Sequence, residues 1–457
     1  MNRIMGRAKI LVVLLLILSL GTAFFVVEYF IKSDSWVLSS GSPHIYNGGN
    51  IGCGTVTDRE GILLLDMTGS RTYAAASSVR MATIHWLGDR EGYISAPALA
   101  YYAEEISGFD PISGLYAYSG IGGQVTLTLS AELQQIALEA MGDYTGTVAV
   151  YNYQTGELLC AVTTPNYDPD DVPDIAGDTT GAYDGVYVNR FTQSTYTPGS
   201  IFKIVTAAAA LETIPDILEQ TFTCTGTVEY GVDTVTCEKA HGTQTLKEAF
   251  MNSCNCAFAQ VADQLGGETL QQYAEAFGAV GSVSFDGITT ASGNLEAAGA
   301  ADVQVAWSAV GQHKDLINPC AYLSFVGAVA NGGTAVLPHL VETITVGSKT
   351  TYQAEAVSGG RIMSSSTAET LADFMRNNVE SYYGDENFPG LTVCAKSGTA
   401  EVGGTQKPNA MFTGFVTDAE YPLAFIVVVE DGGYGRQVCI PIIAPILQAC
   451  KELLDAG

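Results

Sequence analysis

Residues 10–27 are almost wholly apolar and uncharged, and no other feature limits what this chain can fold into so strongly. Eighteen residues at 1.5 Å each reach about 27 Å, close to the roughly 30 Å hydrocarbon core of a bilayer. Arg3, Arg7 and Lys9 precede the run and no acidic residue does, a bias that keeps an N-terminus on the cytoplasmic side. The run is longer than the core of a usual signal peptide, and its small residues lie inside it rather than after it. The expectation is an uncleaved single-pass anchor, with residues 1–9 cytoplasmic, 10–27 transmembrane and everything beyond outside the cell.

That placement governs how the rest is read. Of 20 Lys and Arg, three precede the run, and the remaining 17 face 48 Asp and Glu. Such a surface repels phosphate backbones, so a nucleic-acid partner is not expected. It also repels anionic lipid, which leaves the helix as the only membrane contact. Ten cysteines in an exported chain raise the question of bridges. Cys224 and Cys237 bracket a polar excursion with too little apolar surface to hold itself, and they are the candidate disulfide. Cys160, Cys394 and Cys439 lie in apolar, strand-like runs and read as buried. No His/Cys group has zinc spacing along the chain, and with five histidines no metal is expected.

Residues 28–52, rich in Ser, Gly and Asn from Ser39 onward, read as a stalk. Residues 53–122 mix short apolar segments with glycine turns and suggest a small, mostly irregular N-terminal domain. From 123 the pattern becomes regular. A strand over 125–129 precedes a helix capped by Ser130, and 147–151 with 158–162 form an antiparallel hairpin. Helical patterns follow at 201–212, 246–265, 299–310 and 323–330. The chain then returns to strands at 391–395, 411–416 and 423–429 and closes with a helix over 442–453. Helices inserted between an early hairpin and late antiparallel strands indicate an α+β domain over 123–457.

Three short polar motifs lie within it. Thr197-Pro198-Gly199-Ser200 leads into an apolar helix, so Ser200 falls in the first turn and Lys203 shares its face. A lysine serves as base to a serine only if burial or a neighbouring cation depresses its pKa. Phe202, Ile204 and Val205 supply the dry surround, and Lys396 the second charge. Ser253-Cys254-Asn255 sits between two helical patterns, offering a hydroxyl relay and an amide for a substrate carbonyl. Lys396-Ser397-Gly398-Thr399 follows the 391–395 strand, where a glycine marks close approach of a backbone or ligand. Taken singly, each motif is an ordinary cap or turn; the ordered set belongs to serine acyl transfer.

With these residues the chain resembles the class B penicillin-binding proteins, monofunctional D,D-transpeptidases, over 123–457. The match extends through Tyr151 to Tyr167, Asn189-Arg190, Tyr196 to Lys203, Cys224 to Asn255 with His241, Asn331-Gly332-Gly333 and Val429 to Gly433. The short region before 123 resembles the pedestal of the compact penicillin-binding protein A group. Met411 stands where that family usually has an aromatic residue. The resemblance implies a serine β-lactamase-like fold and cross-linking of peptidoglycan stem peptides without a cofactor. Ser200 would be the nucleophile, Lys203 the base, Ser253 the relay, and Asn255 the holder of the donor peptide. Lys396 would tune the field, and Ser397, Gly398 and Thr399 would bind the terminal carboxylate. The backbone N–H groups of Ser200 and Thr399 would form the oxyanion hole. It further implies acylation by β-lactams and a membrane glycosyltransferase as partner. A D,D-carboxypeptidase, a β-lactamase, and a non-catalytic scaffold or sensor remain alternatives.

Overall fold

The computed structural model describes residues 2–37, 46–47, 50–109, 112, 122–401 and 407–456. Residues 38–45 and 48–49 of the expected stalk lie outside them, and residues 28–37, expected as stalk, instead continue the first helix. The apolar run forms one long helix, Asn2–Val37, whose aliphatic side chains from Ile10 to Val27 are exposed along its length. Its 29-residue apolar stretch Ile4–Lys32 is long enough to span a membrane.

The rest is α+β. A five-stranded antiparallel sheet runs in the order Val393–Ala400, Asn409–Val416, Leu423–Val429, Gly146–Asn152, Leu158–Thr164. Its strands are buried on both faces, which is why they read as continuous apolar runs rather than alternating ones. Leu423, Phe425, Val427 and Val429 point to one face, against Leu133, Ala137 and Ile443 of the helices Ala131–Met141 and Gly435–Ala456. Ala424, Ile426 and Val428 point to the other, into the core shared with the helices Lys203–Thr213, Asn255–Leu265 and Pro319–Ala330. The expected hairpin and the Ser130 cap are present, with Ser130 accepting from the Leu133 N–H at 3.5 Å.

Three expectations need correction. The strand expected at 391–395 extends to Ala400, so Lys396 to Thr399 lie within it and pair with Thr413 to Ala410. Cross-strand pairing continues without a break to Ala400, although Ser397 and Thr399 are only half-buried. The closing helix begins at Gly435, seven residues early, and places Cys439 on a helix rather than a strand. The described residues of 53–122 are more regular than expected, since they carry the helices Ser77–Leu87, Pro97–Tyr101 and Ala103–Ser107. Met411, which stands where an aromatic residue is usual, is wholly buried in the core.

Nor does that region close on itself. Its strands Thr55–Thr57, Leu63–Asp66 and Thr72–Tyr73 continue into Gln124–Leu127, Val341–Val346 and Lys349–Gln353 as one six-stranded sheet. Thr55–Thr57 pairs in parallel with Gln124–Leu127, across the boundary expected at 122/123. Three strands of two to four residues have too small an apolar face to be stable alone. They complete it with strands from far along the chain, and Val56, Val125 and Ile344 share one core.

Candidate active site

A tight turn presents Ser200. Residues Gly199–Phe202 form a 3-10 turn that runs directly into the helix Lys203–Thr213. Gly199 has φ +55°, and a Cβ there would lie 2.7 Å from the Thr399 carbonyl. Gly398 answers from the strand: a Cβ on it would meet Pro198 O at 2.9 Å and Ile201 Cγ2 at 3.1 Å. The close approach that this glycine permits is thus of the nucleophile-bearing turn. Two glycines let the turn lie against Val393–Ala400, the edge strand of the sheet.

Lys203 sits one turn along, as the spacing predicts, with its Nζ 2.7 Å from Ser200 Oγ and donating to Asn255 Oδ1 at 2.9 Å. The side chain has no exposure, and burial lowers its pKa to about 7. The Phe258 ring lies beneath the nitrogen, its centroid 5.7 Å away. Lys396 is equally buried, above Phe250 at 5.9 Å. Its pKa is held well below the usual range, first by desolvation and then by the like charge of Lys203. Lys396 Nζ donates to Ser253 Oγ at 3.1 Å and to the Ser397 carbonyl at 2.9 Å.

The turn between the helices Leu246–Met251 and Asn255–Leu265 places the Ser253-Cys254-Asn255 motif. Ser253 has φ +51°, a left-handed conformation uncommon for a residue with a Cβ. Its neighbours are fixed by Cys254 N–H donating to Ala249 O and by Cys254 capping the second helix. Asn255 Nδ2 donates to Thr236 O at 2.9 Å, which orients its oxygen toward Lys203. All three motifs therefore converge, in two hydrogen-bonded groups: Ser200 with Lys203 and Asn255, and Ser253 with Lys396. Ser397 faces Tyr383, whose hydroxyl lies 2.9 Å from Ser397 Oγ and accepts from the Ser397 N–H at 2.8 Å. Thr399 Oγ1 accepts from Gly435 N–H at 3.4 Å.

Sequence reasoning missed several supporting groups. Tyr383 ends a π-helical turn, Val379–Tyr383, which no local pattern marks. Phe250 and Phe258 are core residues, but each also lies under an ammonium group. Arg190 Nε and Tyr196 Oη both donate to Glu430 Oε1 at 2.8 Å, bracing the entry to the nucleophile segment against the end of the Leu423–Val429 strand. These residues lay inside matched segments, without an assigned role.

The cysteine expectations also change. Cys224 and Cys237 are not bonded to each other; both thiols are free. Each faces His241 Nδ1, at 3.7 and 3.5 Å, and the sulfur beside Cys237 is that of Cys254, at 3.9 Å against about 2.05 Å for a bond. Spacing along the chain gives no metal site, whereas the fold brings Cys224, Cys237, His241 and Cys254 together, their ligand-type atoms within 4.8 Å of one another.

Residues 146–448 match the family described as the penicillin-binding protein transpeptidase domain. The peptidoglycan D,D-transpeptidase PbpA of Mycolicibacterium smegmatis is 29% identical over 345 residues, covering 68% of each chain. Stage V sporulation protein D of Bacillus subtilis is 29% identical over 361 residues, covering 74% of this chain and 54% of its own. Among solved structures, the D,D-transpeptidase domain of a peptidoglycan glycosyltransferase from Eggerthella lenta superposes with a TM-score of 0.75 at 25% identity, covering 88% of this chain and 98% of its own. With a family match over well more than half its length, on the sheet and helices that carry Ser200, Ser253 and Lys396, the chain belongs to the penicillin-binding protein transpeptidase family.

Proposed function

We propose that this protein is a peptidoglycan D,D-transpeptidase that works through an acyl-enzyme on Ser200. The observation that carries the reading is the 2.7 Å contact between Ser200 Oγ and the Nζ of a fully buried lysine whose pKa is lowered to about 7. A neutral amine at that distance can accept the hydroxyl proton as Oγ bonds to the penultimate D-alanine carbonyl of a stem peptide. Breakage of the amide bond then expels terminal D-alanine, whose nitrogen takes a proton through Ser253, the hydroxyl nearest Lys396. An amine of a second stem attacks the ester and restores Ser200.

The remaining roles follow from position. Asn255 holds the donor peptide, Lys396 sets the field, and Ser397 and Thr399 take the terminal carboxylate beside Gly398. Thr399 turns its carbonyl toward Gly199, and in a strand the N–H of a residue points to the same side as its carbonyl. That supports the Thr399 and Ser200 N–H groups as the oxyanion hole. The activity for which the PbpA relatives are named supports the same chemistry. The helix Asn2–Val37 would anchor the protein with its N-terminus inside. Residues 53–122 would act as a pedestal raising the site toward the wall, where a membrane glycosyltransferase supplies the glycan strands.

Intact-protein mass after exposure to penicillin tests the nucleophile. One adduct is expected on the native chain and none on Ser200→Ala; a folded native chain without an adduct refutes the reading. A stem-peptide donor offered with an amine acceptor tests the outcome. Hydrolysis exceeding cross-linked product at saturating acceptor would assign a carboxypeptidase instead.

A further inference from the structure

The excursion between Cys224 and His241 poses a physical problem. Its strands Thr227–Tyr230 and Asp233–Thr236 form an isolated two-stranded ribbon, and most of their residues are exposed or half-buried. Val232 at the tip is 99% exposed, while Val235 alone on the ribbon is fully buried. A lone two-stranded ribbon is marginal in water. Yet Thr236, at its base, accepts the hydrogen bond that orients Asn255. The body of the ribbon packs through Val228, Tyr230 and Val235 against Ala259, Ala306 and Trp307, which leaves the polar base, beside Asn255, as the part that a further link would fix.

At the base lie four ligand-type atoms: Sγ of Cys224, Cys237 and Cys254, and Nδ1 of His241, all within 4.8 Å of one another. They come from the end of the strand Thr221–Cys224, the residue after Asp233–Thr236, the residue before Gly242–Thr245, and the cap of Asn255–Leu265. A tetrahedral ion with bonds of about 2.3 Å to sulfur and 2.0–2.1 Å to nitrogen needs S···S edges of about 3.8 Å and S···N edges of about 3.6 Å. The observed edges are 3.9 Å for Cys237 to Cys254, and 3.5 and 3.7 Å from His241 to Cys237 and Cys224. Cys224 and Cys254 are buried, and Cys237 and His241 half-buried. Cys254 Sγ also accepts the Ala257 N–H at 3.4 Å, so the helix N-terminus fixes where this sulfur sits.

We propose that Cys224, Cys237, His241 and Cys254 bind one zinc-like divalent cation, which clamps the 224–241 ribbon to the Ser253-Asn255 turn. Three thiolates and an imidazole with no position left for water make a closed, structural site, and the sulfur-rich set selects zinc over harder cations such as magnesium. Binding displaces three thiol protons, leaving a site of net charge about −1. The cation takes no part in the chemistry at Ser200. Through Cys254 it holds the backbone from which Ser253 and Asn255 project, and through Cys237 the neighbouring Thr236 carbonyl. These four are positioning residues.

The site rests on its own geometry, and only its effect on acylation rests on the transpeptidase reading, so the experiment separates the two. The full-length chain is purified in detergent under reducing conditions and its metal measured by elemental analysis. Close to one zinc per chain is expected, lost in Cys224→Ser and His241→Ala and kept in Cys320→Ser. Replacement of the metal by cobalt should produce thiolate-to-metal charge-transfer absorption, a readout on the unmutated protein that stands even where a variant misfolds. Chelation should slow acylation by penicillin roughly tenfold or more, the scale expected when a group that orients site residues is lost, and added zinc should restore it. No bound metal together with no cobalt–thiolate band overturns the site, as does a metal-free chain carrying a Cys237–Cys254 disulfide. Full zinc occupancy whose removal leaves acylation unchanged overturns the clamp.

Discussion

Replacing Lys203 with methionine should make this protein more stable while abolishing acylation of Ser200. The native amine has a pKa of about 7 in place of its ordinary 10.5, because it is wholly buried. At roughly 1.4 kcal/mol per unit, carrying it costs the folded state about 4 kcal/mol at pH 7. The folded amine binds its proton more weakly than the unfolded one, so the folded state holds fewer protons between about 7 and 10.5. The penalty is therefore at full size below pH 7 and fades as pH rises through that window. Methionine is of similar length, uncharged and at home between Phe258 and the core. It forfeits the contacts to Ser200 and Asn255, worth about 1 kcal/mol each. The balance is a gain of about 2 kcal/mol at pH 7, a rise of a few degrees in Tm. Near pH 10 the penalty has fallen to about 1 kcal/mol and the sign reverses. Thermal unfolding of the full-length chain and variant at pH 7 and pH 10, with penicillin labelling in parallel, measures this directly. A variant no more stable than the native chain at pH 7, or a gap that does not narrow with pH, would refute burial as the source of the lowered pKa.

The same amine sets a pH profile: the rate of acylation by penicillin should rise through a midpoint near 7, falling about tenfold for each unit below it. Gly398→Ala should displace the nucleophile turn, since its Cβ would meet Pro198 O at 2.9 Å. Acylation should drop more than about tenfold, at a stability cost of about 1–3 kcal/mol, read by labelling rate and thermal midpoint together. Tyr383→Phe removes the hydroxyl that meets Ser397. A loss of about 1–2 kcal/mol in binding substrates that bear a carboxylate is expected, with the KM effect exceeding the kcat effect.

How much of this was legible in the chain depends on distance along it. The hairpin 146–164 and the strand Leu423–Val429 were readable because their apolar residues record burial on both sheet faces. Ser200 and Lys203 were readable as a pair because a helical turn joins them. The Lys396 to Ser253 bond joins residues 143 positions apart, and no periodicity encodes such a contact; only the ordered motif set pointed to it. The polar ribbon after Cys224 signalled a need for a cross-link. It did not reveal that Cys254, from the next helix, and His241 complete the group, since the fold and not the spacing brings them in. Residues 55–73 carried too few apolar positions to show what they pack against, because their partners come from 124–127 and 341–353.

That shared sheet has a consequence in time. The chain is made from its N-terminus, and the Thr55–Thr57 strand emerges early. Gln124–Leu127 then has to wait for its other neighbour, Val341–Val346, which appears roughly 220 residues later. Through that interval the nascent protein carries an open strand edge with half of its hydrogen-bonding groups unpaired. Such edges invite pairing with other chains. This early-made sheet is thus among the last parts of the protein to finish folding, and whatever shields that edge during the wait governs the yield of native protein.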